Sequence, residues 1–134
     1  MSRVVNCDRT IRQGRMVKAQ QFADAATLVQ NLAEEAGDVA DAYITLCVHA
    51  GIAASDVICC ARLGRYAQGE GHHEAVALLK TAAPGIERHL AALLGVKTKS
   101  GYSHLRATAG EVRRAGRAVE ALLGEACSAH GVMD

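Results

Sequence analysis

The segment GVKTKSGYSH (residues 95–104) and the two residues after it bring Lys97, Lys99, His104 and Arg106 close together in the chain. Lysine and arginine at this density suit contact with phosphate. A histidine among them suits movement of a proton. Arg113, Arg114 and Arg117 follow shortly after, and Arg106, Arg113 and Arg117 share one side if the last helix extends back far enough. The competing reading is a solvated connection whose lysines lie along the surface. The segment has no apolar periodicity, so it is expected to be a loop, with Tyr102 a packing residue at its rim.

Two further constellations carry chemistry. His49 and Asp56 are seven residues apart, which places them on one helix face, with Asp41 and Thr45 leading up to His49 in four-residue steps. Such a ridge suits ligand binding or proton transfer, and equally an exposed strip or an interhelical hydrogen-bond network. Arg62, Arg65, His72, His73 and Glu74 flank the turn GEG, near a helix start that would attract anions. The glycine, lysine and hydroxyl spacing of a phosphate-binding loop is missing. Adjacent His72 and His73 do not converge on one ion, so neither a metal nor a cofactor is expected.

The elements that must position these residues read as helices. The first is expected from Gln13 to Ala36, with Phe22, Ala25, Ala26, Val29, Leu32 and Ala33 on its apolar face and Gly37 as its cap. Asp38 caps a second, longer helix that runs to about Arg65; its centre, HAGIAAS, is rich in small side chains and predicts close approach by another helix. A third helical region begins at His72 or His73 and is broken near Pro84, resuming as IERHLAALLGV. Thr108 and Glu111 in TAGE have capping-box spacing and open a last helix with Val112, Ala115, Val119, Leu122 and Leu123 inward. The expectation is an all-α, up-down four-helix bundle: residues 1–12 a flexible leader, residues 13–130 one domain.

Composition agrees. Half of the 134 residues are apolar, yet only Phe22, Tyr43, Tyr66 and Tyr102 are aromatic, which favours closely packed helices over a sheet sandwich. A formal charge of +1 argues against a general polyanion binder while leaving room for a local basic patch. The five cysteines form no C-x-x-C pair and are expected as free thiols. With no apolar leader core and no run judged long enough to span a bilayer, a cytoplasmic protein without membrane contact is expected.

The long second helix (DAYITLCVHAGIAASDVICCARL), the glycine turn leading to HHEAVALL, and LLGVKTKSGY before the last helix together resemble the HEPN superfamily of small helical bundles. The resemblance covers roughly residues 38–125. It implies a homodimer associated with RNA or nucleotides, commonly in toxin–antitoxin or defence systems, with a nucleotidyltransferase as a partner protein. Active members carry an arginine a few residues before a histidine near the start of the last long helix. Two subunits then build a metal-independent ribonuclease site, in which the histidine assists attack by the RNA 2′-hydroxyl and the arginine steadies the phosphate.

Here the motif is altered. His104 is preceded by Lys99 with four residues between and by Lys97 with six, and by no arginine at those places. Lysine supplies charge without the planar guanidinium fork. Arg65 and His72 have the right spacing in the wrong connection. The resemblance therefore implies a catalytically degenerate binding protein, and the residues themselves offer Arg106, Arg113, Tyr102, His49, Asp56 and Arg62 as ligand contacts. The alternatives are a ribonuclease using His104 with Lys97 and Lys99, and a purely structural dimer joined through the second helix. Some family members are modified on a tyrosine two residues after the motif histidine; Tyr102 lies two residues before His104.

Overall fold

The computed structural model describes residues 3–69 and 71–133. In chain order these form β1 (Arg3–Asn6), α1 (Arg9–Leu32), a 3₁₀ turn (Ala36–Val39), α2 (Ala40–Leu63), β2 (Arg65–Gln68), α3 (His72–Ala82), α4 (Glu87–Tyr102) and α5 (Ala109–Met133). The architecture is an all-α, multi-helix packed bundle with a minor two-stranded sheet. Five helices stand where four were expected, because the region interrupted at Pro84 becomes two separate helices, α3 and α4.

α2 is the centre. Ile44, Ala50, Ala53, Ala54, Val57 and Ile58 are fully enclosed, because this helix is apolar on nearly every side and is covered by α1, α4 and α5. The small side chains do what their pattern predicts. A Cβ at Gly51 would collide with Leu93 Cδ1 of α4 and lie 3.2 Å from Leu122 Cδ1 of α5, so glycine lets both helices close on one point. α2 ends at Gly64, whose left-handed φ of 69° turns the chain into β2. By length and mean hydropathy, Gly37–Leu63 would pass as a membrane span, contrary to the sequence expectation. Most of that stretch is buried against the other helices, which accounts for its apolar character.

The N-terminal segment departs from the flexible leader expected for residues 1–12, of which Met1 and Ser2 lie outside the described residues. β1 pairs antiparallel with β2, Arg3 opposite Gln68 and Asn6 opposite Arg65. Asp8 then caps α1 by accepting from the Ile11 N–H at 2.9 Å, so the helix starts four residues before Gln13. Its other end stops at Leu32, and Glu35 N–H bonds Asp38 Oδ2 to form the 3₁₀ turn instead of a longer helix. Cys7 and Cys60 form a disulfide, correcting the reading of all five cysteines as free; Cys47 and Cys59 are buried thiols and Cys127 is exposed.

The segment expected as a loop is mostly helix. α4 continues through Gly95 to Tyr102 because its inner face continues: Leu90 and Leu93 are buried, Val96 packs on the core, and Ser100 meets Thr45 of α2 at 3.4 Å.

Candidate functional site

The helical course of α4 divides the basic cluster. Lys99 Nζ lies 2.8 Å from Glu111 Oε1 of α5. The same carboxylate oxygen accepts from Thr108 N–H at 2.8 Å, and Thr108 Oγ1 accepts from Glu111 N–H at 3.1 Å, completing the expected capping box. Lys99, together with Thr108, holds the Glu111 carboxyl down to about 2. Tyr102 ends α4 and is 80 % exposed. His104 and Arg106 are exposed on the following connection, and no described residue hydrogen-bonds the His104 ring to orient it. Lys97 borders a different crevice, with Asp56 and His72.

His49 and Asp56 share a face of α2, and that face meets α1. The Phe22 and His49 rings are 5.3 Å apart, and Arg15 Nε lies 2.8 Å from Asp56 Oδ2. Asp41 and Thr45 do not join them. Asp41 Oδ1 accepts from Ala107 N–H at 3.1 Å, fastening the connection before α5, while Thr45 turns to Ser100. Arg62 pairs with Glu125 at 2.6 Å. Among the described residues, no three His, Cys, Asp or Glu side chains converge as metal ligands.

A further opening, between α1 and α5, was not foreseen. α1 and α5 come together where Arg12 Nε donates to His130 Nδ1 at 3.1 Å. Further along, both rest on α2 and a cleft of about 560 Å³ lies between them. One wall carries Gln20, Asp24 and Gln30 of α1; the other carries Arg113, Arg117 and Glu120 of α5. Tyr43 and Cys47 of α2 form part of the floor. Gly116 makes room there, since a Cβ would lie 2.7 Å from the Tyr43 hydroxyl.

Arg113 and Arg117 are one helical turn apart and line the same cleft. No described carboxylate forms an ion pair with either. On the floor, burial pushes the Tyr43 phenol up to about 12 and the Cys47 thiol up to about 11. Both therefore stay protonated at neutral pH. The thiol is no nucleophile, because nucleophilic chemistry needs the thiolate. What the cleft offers is two guanidinium groups, amides, carboxylates and a neutral polar floor, a set suited to binding.

Of the basic residues singled out in the sequence, Arg113 and Arg117 belong to this cleft. Gln20, Asp24 and Gln30 on its opposite wall were not among the sequence candidates. The available signal was the pairing of Arg113 with Arg117 around Gly116. No protein-family model, curated protein or solved structure matches the chain.

Proposed function

We propose that the chain is an HEPN-like helical module that binds a phosphate-bearing ligand, a nucleotide or an RNA end, in the cleft between α1 and α5 without cleaving it. The observation that carries this reading is the placement of Arg113 and Arg117, one turn apart and without ion pairs among the described residues, on the wall of a cleft of about 560 Å³. That volume lies within the roughly 300–1,000 Å³ of small-molecule sites. Guanidinium groups recognise phosphate through forked hydrogen bonds. Gln20, Gln30 and Asp24 opposite them supply the mixed donors and acceptors that a base edge needs.

Binding is favoured over cleavage by the state of the motif residues. Lys99 is engaged by Glu111, and His104 has no described partner to fix its ring. Homodimerisation and a nucleotidyltransferase partner are added by the HEPN likeness of α2, the turn before α3 and LLGVKTKSGY. The test is an amide-resolved titration of the full chain with ADP, beside incubation with RNA in EDTA. Saturable shifts along 20–30 and 112–123 with intact RNA are expected. Cleavage that His104→Ala abolishes would replace this reading with a nuclease.

A further inference from the structure

A separate crevice gathers chemistry from three helices. Ser55 and Asp56 of α2, Gly71 and His72 at the start of α3, and Lys97 of α4 border a space of about 60 Å³. A neighbouring cavity of about 200 Å³ shares Ile52, Asp56, Ala67 and Gly69 with it and reaches Arg15. The volume is far too small for a nucleotide, so this is not an extension of the α1–α5 cleft.

The charges there do not cancel. Asp56 is already answered by Arg15 at 2.8 Å. Burial also pushes its carboxyl up to about 7 against the pull of Arg15, so part of the population carries a proton and no charge. Lys97 has no ion pair among the described residues. α3 opens at Gly71 without a side-chain cap, and Glu74 in its first turn answers part of the positive end of its dipole. Among the described residues that line the two spaces, the cations Arg15 and Lys97 outnumber the carboxylate of Asp56, which disfavours an ammonium ligand. Ile52, Leu90 and Leu94 on the walls are apolar, which disfavours phosphate, because oxygens turned toward those walls would lose water without new partners there. A ligand with one anionic end and one short alkyl end meets both conditions.

We propose that the crevice between α2, α3 and α4 is a binding site for a short-chain monocarboxylate, its carboxylate on Lys97 and its alkyl end against Ile52, Leu90 and Leu94. Asp56, when protonated, donates to the same carboxylate. The site is independent of the nucleotide reading and survives its failure.

The test titrates the full chain with sodium butyrate at constant ionic strength, following the amides of residues 71–75 and the methyl groups of Ile52 and Leu94. Butyramide, butylamine and inorganic phosphate serve as the uncharged, cationic and non-alkyl comparisons. Saturable shifts with butyrate alone, weakened about tenfold or more in Lys97→Met, are expected for loss of a charge-assisted contact. Ala75→Leu, which adds bulk to the crevice wall and leaves Lys97 in place, is expected to block butyrate as well. No saturable butyrate shift, or equal affinity in Lys97→Met, or a preference for phosphate, overturns the proposal.

Discussion

Arg15 of α1 reaches the Asp56 carboxylate of α2 at 2.8 Å, and one heptad further along each antiparallel helix Phe22 meets His49 at 5.3 Å. These two contacts fix the register of the most extensive helix pair in the fold. They also explain why a histidine and an aspartate on one face of α2 do not form a proton-relay pair: each is occupied by its own partner on α1.

Asp56 makes stability depend on pH in an unusual direction for a carboxylate. Its ordinary value is 3.8 and its folded value about 7, so between those limits the folded state holds a proton that the unfolded state has released. Stability from this group therefore falls as pH rises through that window and levels off above it. Denaturant midpoints at about pH 5 and about pH 8 check this against Asp56→Asn, whose own midpoint is expected to change less between the two.

Glu111 has the opposite sign. Lys99 and Thr108 hold it at about 2 instead of the ordinary 4.5. Its contribution is present above the ordinary value and is lost as pH falls toward 2. Acid unfolding followed by circular dichroism is expected to be shallower across that range in Glu111→Gln. Thr108→Ala removes the reciprocal cap and is expected to cost about 1 kcal/mol in urea denaturation.

The Cys7–Cys60 bond closes a long stretch of chain, the two residues being 53 apart in sequence. Chain-entropy arguments put the stabilisation from a loop of that size at about 4 kcal/mol. Reductant is expected to lower the urea midpoint of the native chain accordingly. It should leave Cys7→Ser/Cys60→Ser, which already lacks the bond, unchanged.

Gly51 is where α4 and α5 both press on α2. Val at this position brings a branched side chain against Leu93 and Leu122, which are fully buried. A loss of about 1–3 kcal/mol is expected from overpacking, measured by thermal or denaturant unfolding.

Much of the fold was legible because it is local. The stripes of α2 and α5, the break at Pro84, the Thr108–Glu111 cap and the close approach at Gly51 each follow from residues within a few turns of one another. The departures are non-local. RVVN is too short to announce a strand, and its partner lies beyond two helices. The pairing of Cys7 with Cys60 has no spacing signature. The basic cluster was misplaced for a different reason. Two residues apart in a loop are neighbours, whereas two residues apart on a helix point to opposite sides. As α4 extends to Tyr102, Lys97 goes to the Asp56 crevice and Lys99 to Glu111. The cleft between α1 and α5 depends on how two helices diverge over a third, which no single segment encodes.

The most direct test of the binding account is calorimetric titration of ADP and of a short 5′-phosphorylated RNA into the native chain and into Arg113→Ala/Arg117→Ala. Both arginines are exposed, so the variant is expected to keep its fold, with an unchanged circular dichroism spectrum and melting temperature. The account predicts saturable binding of at least one ligand to the native chain and a loss of about tenfold or more in the double variant. No binding by the native chain, or equal affinity in a folded variant, contradicts it.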